Sequence, residues 1–362
     1  MASSSAVPRG ARELLIGAPL PVKLDRSMAP AEVQAWLADA LPGLATELGE
    51  RSSVRDFLAR WQLLSALGRT DLVIARLLEG HLDALAILTE AGRSAVPGAS
   101  YGVWASASGG TGLTLAHRDG TDYLAGLMRF CSGALLLDRA LTTARDGTGE
   151  LHLFDIGVRD ERLRSIPGSW PALGMDASAS LDVEIDNLPI DSPPVGPAGF
   201  YLERTGLHLG GIGVAAVWLG GLQGLLDATL RVLGDRRPDE HGLAHLGAVS
   251  LAVESAAATL VSTAERLNDA PVDPVTQLCD LPALELTRLA LICRSAVEAA
   301  VDVGTRRLPR VVGPVALGRD GDFAHRLADL EVFVRQHHAE RDLARLGASE
   351  FDEPWSDGPV SG

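Results

Sequence analysis

The chain has 362 residues, a formal net charge of −15 and 46% hydrophobic residues, enough to bury large cores in two or three domains. Lys23 is its only lysine and its arginines are scattered, which argues against the clustered basic stripe of a nucleic-acid surface. Three cysteines, Cys131, Cys279 and Cys293, are odd in number and form no CxxC pair, so a reducing, cytoplasmic location is expected rather than a disulfide framework.

The opening residues lack a long apolar core and read as a flexible segment, residues 1–29, rather than a signal peptide. Apolar spacing near 3.6 predicts helices over Glu32–Ala40, Val54–Leu67 and Asp71–Glu90, with Asp71 as a cap. They form an N-terminal helical domain, 30–98. The texture then changes. Tyr101–Ala105, Gly112–Ala116, Leu135–Ala144, Leu151–Ile156 and Leu181–Ile185 read as short strands separated by Gly, Asp and Ser clusters. They define a middle β domain, 99–197, a barrel or sandwich closed by a proline-rich joint. Long helices follow over Gly206–Leu233, His241–Leu267, Pro282–Gly304 and Phe323–Gly347, predicting an antiparallel four-helix bundle, 198–347. An acidic tail, 348–362, is expected to be disordered. The fold class is mainly α with a β insert.

Leu209–Leu226 is nearly uncharged and long enough to span a bilayer. Its six glycines and the lack of a basic flank before it favour a closely packed buried helix and no membrane span.

Gly211–Ala216 has the form GxGxxA, but its helical context excludes the strand that a dinucleotide loop requires. Ser106–Gly112 is a Gly/Ser-rich turn between two strands. It is either a plain hairpin loop or a set of backbone N–H groups offered to a phosphate or flavin edge. His241 and His245 share a helix face without a third metal ligand, and read as surface residues. The last helix is the strongest candidate. Its apolar stripe, Phe323, Leu327, Leu330 and Val334, runs into His337, with Arg335, His338, Glu340, Arg341 and Asp342 crowded at the same turn. A buried histidine there is either a base working near neutral pH or a hydrogen-bonded structural residue.

The order of textures, with several segments, resembles the acyl-CoA dehydrogenases and their flavin-dependent relatives over about residues 30–347. Gly126-Leu-Met-Arg-Phe-Cys-Ser-Gly-Ala looks like the run that backs the flavin ring, and Tyr101-Gly-Val-Trp-Ala-Ser is similar to the flavin-contacting strand before it. Trp170-Pro-Ala-Leu-Gly-Met-Asp-Ala-Ser and Asp182-Val-Glu-Ile-Asp-Asn-Leu-Pro-Ile look like the segments that close the β domain, and Ala328-Asp-Leu-Glu-Val-Phe-Val like the helix leading into the active site. The resemblance implies FAD held between the β domain and the bundle. It places Phe130, Cys131 and Ser132 against the isoalloxazine, with Trp104 and Ser106 beside them. The stretch that holds the flavin diphosphate becomes Gly234–Glu240, where Arg236 or Arg237 would keep the charge.

The family's usual C-terminal Glu-Gly-Thr is absent, and its place falls near His337–Ala339. Glu203, in Leu202-Glu203-Arg204, matches the family's second placement of its catalytic carboxylate. Glu203 and His337 are therefore the two candidate bases. The implied activity is α,β-dehydrogenation of an acyl thioester. A flavin monooxygenase of the same fold and a non-catalytic scaffold are the alternatives. The resemblance, with the apolar girth of the C-terminal helices, also implies a homodimer or homotetramer.

Overall fold

The computed structural model describes residues 10–351 apart from 23, 25–27, 52–55 and 108. Four helices come first: α1 (Ala11–Leu15), α2 (Pro30–Arg51), α3 (Phe57–Thr70) and α4 (Leu72–Glu90). Asp56 starts α3 by accepting the Ala59 N–H, and Asp71 starts α4 by accepting those of Val73 and Ile74, which satisfies donors that a helix start leaves open. The expectation of a flexible segment through residue 29 fails for α1. Leu15 is fully buried, and the Ala11 N–H donates to Glu254 Oε1 at 2.7 Å. The disordered tail expected from residue 348 also fails at its start, where a helix runs through Ala348 and a 3-10 turn covers Ser349–Phe351; the remaining tail expectations, at 1–9 and 352–362, lie outside the described residues.

Seven strands follow: β1 (Tyr101–Trp104), β2 (Gly112–Arg118), β3 (Thr121–Cys131), β4 (Arg139–Arg145), β5 (Leu151–Gly157), β6 (Leu163–Ile166) and β7 (Leu181–Ile190). They form one sheet in the order β1-β4-β2-β3-β7-β6, with β5 also on β4. β1 and β2 both run parallel to β4, in the registers Tyr101↔Arg139 and Leu113↔Ala144. The 105–111 loop therefore leaves the sheet between two strands that share a neighbour. The register of β3 against β7 shifts twice: between Leu124 and Gly126 the extra residue lies in β7, and between Met128 and Cys131 it lies in β3, which there escapes a simple alternation reading. Each bulge moves the following side chains to the other face. Trp104, Met128, Cys131 and Phe154 fill the sheet's core, while Ile87 and Leu88 of α4 pack on Tyr101, Leu141 and Leu153 from outside it.

The C-terminal part comprises α5 (Phe200–Glu203), α6 (Gly206–Leu233), α7 (Glu240–Asp269), α8 (Ala283–Val312), α9 (Pro314–Arg319), α10 (Gly321–Phe333) and α11 (Glu340–Ala348). α6 runs through the middle, with Ile212, Ala215, Trp218 and Leu222 fully buried. Its glycines have a packing reason. A methyl group on Gly220 would collide with the Ser65 carbonyl of α3, and one on Gly68 of α3 with the Val217 carbonyl of α6. The two helices touch backbone to backbone there. α6 and α7 are both long and apolar enough to cross a membrane by length and composition, but α6 is enclosed by protein, whereas only 33% of α7's most apolar stretch is buried.

The expected last helix is broken. α10 ends in a 3-10 turn at Val334–Gln336, His337 is extended, and Ala339 takes φ 46° before α11 begins. Phe323, Leu330 and Val334 are fully buried all the same. The apolar stripe continues through the 3-10 turn, so periodicity alone does not reveal the break.

Candidate active site

The bulge in β3 shapes the sheet side of the site. It places Phe130 at φ 60°, so the ring leaves the sheet and is 46% exposed. That ring meets Trp170 edge-on, 6.1 Å between centroids. Ser132 then opens a polar chain toward α4. Ser178 and Ser180 share a hydrogen bond of 2.7 Å, Ser180 and Ser132 one of 2.9 Å, and Arg76 Nε donates to Ser132 Oγ at 3.2 Å. Arg76 also donates to Glu79 Oε2 at 2.8 Å. Burial pushes the Glu79 carboxyl above its ordinary range, against the pull of Arg76.

The helical side meets this chain through aromatic rings. Arg76 lies 5.9 Å from the centroid of the Phe333 ring, Phe333 meets Trp218 edge-on at 6.3 Å, and Arg294 stacks 4.7 Å over Trp218. Arg294 donates to the carbonyls of Gly211 (3.0 Å) and Gln336 (2.8 Å), tying α6, α8 and the break after α10 together.

His337 sits at that break, 2% exposed. Its Nδ1 accepts the Ala339 N–H at 3.1 Å, and its Nε2 lies 3.0 Å from Ser295 Oγ. A nitrogen that accepts a backbone N–H carries no proton, so the neutral ring holds its proton on Nε2 and donates toward Ser295. Burial pushes the His337 pKa down, opposed by Asp342, whose Oδ2 is 3.7 Å from Nε2. Burial raises the Asp342 carboxyl, but hydrogen bonds from the His338 side chain and backbone outweigh it and hold it at about 2.

Several expected site residues sit elsewhere. Trp104 is 2% exposed in the sheet core, donating through Nε1 to the Ser132 carbonyl at 3.0 Å, and cannot stack on a ligand ring. Cys131 is fully buried in the same core and its thiol pKa is driven up by burial. Both face the opposite side of the sheet from Phe130. Ser106 is partly buried in the 105–111 loop. Arg236 is exposed beyond the C-terminal end of α6, roughly 30 Å along that helix from Gly211. Glu203 is exposed on short α5, while its neighbour Arg204 is buried. The structure thus gathers Ser132 and His337 around Arg76, Trp218 and Arg294, with Phe130 two residues from Ser132, while among the described residues Glu203 and Arg236 make no hydrogen bond or ion pair with them. Arg76 carried a signal that sequence reasoning passed over, a charge in the otherwise apolar run Leu72–Leu78.

The surroundings of Phe130 fit a flavin. Thr111 Oγ1 and Arg129 Nε are buried with no hydrogen-bond partner. Arg129 Nε is 3.8 Å from Asp182, beyond hydrogen-bonding range, and its Nη1 donates to the Gly109 carbonyl at 2.9 Å. An exposed aromatic ring, a glycine turn and unsatisfied donors lie together, as a flavin and its phosphate require.

Two narrow adjoining clefts open between α3, α4 and α6. Arg60, Asp83, Leu209 and Gly210 line both, Glu90 and Leu278 the outer one, and Glu79 and Leu64 the inner one. Buried Arg204 bridges Asp83 (3.4 Å) and Glu90 (3.3 Å) beside them.

No protein-family model matches the chain, and no curated protein matches it in sequence. Solved structures do match. TdsC of Paenibacillus sp. A11-2, a dibenzothiophene monooxygenase solved with FMN and indole, superposes with a TM-score of 0.74 at 17% identity, over 91% of this chain and 92% of that one. Methanesulfinate monooxygenase MsuC of Pseudomonas fluorescens gives 0.68 at 17% identity, over 91% and 98%. KijD3, solved with FMN and a dTDP-linked amino sugar, gives 0.71 at 19% identity, over 92% and 91%. The chain has the acyl-CoA dehydrogenase type of fold.

Proposed function

We propose that this chain is a flavin-dependent oxidoreductase of the monooxygenase type, acting on a small molecule rather than dehydrogenating an acyl thioester. The state of His337 carries this reading. Dehydrogenation needs a base beside the substrate α-carbon. Here Glu203 is exposed on α5, and His337 is tied at Nδ1 and presents a proton, not a lone pair, at Nε2. The charged clefts also suit a fatty acyl chain poorly, since half-buried Arg60 and Asp83 and buried Glu79 cannot be matched by hydrocarbon. The likeness to TdsC and MsuC, both monooxygenases, supports the same reading.

Phe130, Arg129, Thr111 and Ser132 would hold the flavin. When bound and reduced, that group supplies electrons to oxygen. The chain's own residues do the rest. Ser132, fixed by Arg76 and Ser180, offers a hydroxyl next to Phe130. The Phe333–Trp218–Arg294 stack, with Phe333 and Trp218 buried, would keep water from the helical side. His337 donates its proton toward Ser295 and holds that hydroxyl in one orientation. The distance of Arg236 from this site favours a flavin with one phosphate over FAD.

The test has three readings on one preparation. Protein incubated with FMN or FAD and then desalted should keep a flavin absorption band. Supplied with reduced flavin and oxygen, it should oxygenate a small substrate. Under anaerobic conditions an acyl-CoA should leave the flavin oxidised. Bleaching by an acyl-CoA would restore the dehydrogenase reading, and a protein that never retains flavin would be a scaffold.

A further inference from the structure

The charges around the two clefts do not all pair. Three cations, Arg60, Arg76 and Arg204, face three acids, Glu79, Asp83 and Glu90. Arg76 holds Glu79, and Arg204 holds both Asp83 and Glu90. Glu90 also accepts the Gly206 N–H at 3.1 Å. Every acid is therefore bonded. Among the described residues the Arg60 side chain makes no hydrogen bond or ion pair, although it lines both clefts. Burial pushes the Arg60 pKa down, while Asp83 and Glu79 pull it back up without touching it. Its five donors, set in a planar fork, are left without an acceptor beside the clefts that Arg60 lines.

Phe57, Ala86, Leu209 and Leu278 give the outer cleft an apolar wall beside the hydroxyls of Thr89 and Thr276, and Leu64 and Leu82 do so for the inner one. A ligand with a short hydrocarbon body would lay it against those apolar walls, away from the charges, and one planar oxyanion matches the fork. We propose that this cleft recognises a small monocarboxylate with an apolar body, and that Arg60 is its anchor. The inner end reaches Glu79, whose partner Arg76 holds Ser132. The inference thus rests on the oxidoreductase reading only in taking this ligand for the substrate of the proposed flavin site. The unpaired guanidinium stands whether or not flavin binds.

Calorimetric titration with benzoate tests it, with benzamide as the neutral isostere and benzylamine as the cationic one. Purified full-length protein is used, with and without added flavin. Benzoate should bind at least tenfold more tightly than either isostere. Arg60→Gln should remove that preference at unchanged melting temperature and flavin retention, and Arg60→Lys, which keeps the charge but not the fork, should restore part of it. Equal binding of benzoate and benzamide, a preference for benzylamine, no benzoate binding at all, or undiminished binding by Arg60→Gln would overturn the proposal. If the protein never keeps flavin but Arg60→Gln still abolishes benzoate binding, the carboxylate site holds and the oxidoreductase reading falls.

Discussion

His337 Nδ1 accepts the backbone N–H of Ala339, two residues further along the chain, at 3.1 Å. That short loop fixes the ring's tautomer. Ala339 reaches it only by adopting φ 46°, a conformation that costs a non-glycine residue about 1–3 kcal/mol. Strain, tautomer and the break in the last helix are one local arrangement.

By releasing the Ser295 hydroxyl that it orients, His337→Gln should therefore lower turnover by up to roughly 100-fold with flavin retained. Glu203→Gln, on the surface of α5, should stay within about twofold of the parent. Steady-state rates of the two flavin-loaded variants decide it. The reverse ranking would move the chemistry to Glu203.

Phe130 and Trp104 should separate binding from stability. Phe130→Ala should lose flavin and keep its melting temperature, because the ring is half out of the sheet. Trp104→Ala should lose about 3–5 kcal/mol of stability as a cavity opens in the sheet core, whereas Trp104→Phe should retain flavin. Flavin loss from Trp104→Phe at unchanged stability would show that the indole does reach the cofactor.

Two glycine substitutions should have opposite signs. Gly220→Ala drives a methyl into the Ser65 carbonyl and should destabilise by about 3 kcal/mol. Gly247→Ala, on α7 with nothing near its added carbon, should stabilise by about 0.5–1 kcal/mol. Denaturant melts of both variants supply the check, and equal effects would contradict the close α3–α6 contact.

His81 gives the fold an acid-sensitive point. It is 5% exposed, its Nδ1 accepts the Tyr101 N–H at 3.2 Å, and burial lowers its pKa from 6.5 to about 4. The unfolded chain then takes up the proton first. Its contribution is fully present above pH 6.5 and is lost as the pH falls from there to about 4, on the order of 3 kcal/mol in all. Melting temperatures between those limits should fall more steeply for the parent than for His81→Gln. Parallel slopes would rule His81 out as the source.

The outer face of α7 should join two copies of the chain. Ala244, Gly247, Leu251, Ser255, Ala258 and Ser262 are exposed along it with no charge among them, and Leu251 is 68% exposed. Sedimentation should show a dimer or tetramer, reduced to monomer by Leu251→Glu. A parent that runs as a monomer at micromolar concentration would refute this.

Much of the fold was legible because its signals are local. Asp71 announces the start of α4, the limits of α6 coincide with its apolar run, and the stripe from Phe323 leads to a buried His337. What was not legible depends on one-residue parity or on distant partners. A bulge sends Phe130 out and Cys131 in, and no residue type marks it. Ala339 carries positive φ without the glycine that would have signalled it. The ties from Arg204 to Asp83 and Glu90 span 121 and 114 residues, so neither the buried network nor the unpaired Arg60 could be read from spacing.

The contact of Gly68 with Val217 and of Gly220 with Ser65 governs how the cleft can move. It joins α3 and α6 at one end, while the cleft lies between Phe57–Leu64 and Gly206–Gly213 at the other. The pair behaves as a lever with its fulcrum at the glycines. A ligand bulkier than the proposed carboxylate would have to be admitted at the end near the Thr276–Leu278 loop, which borders the outer cleft, rather than by sliding one helix along the other. Enlarging the range of accepted molecules is then a matter of trimming that loop, with the fulcrum left untouched.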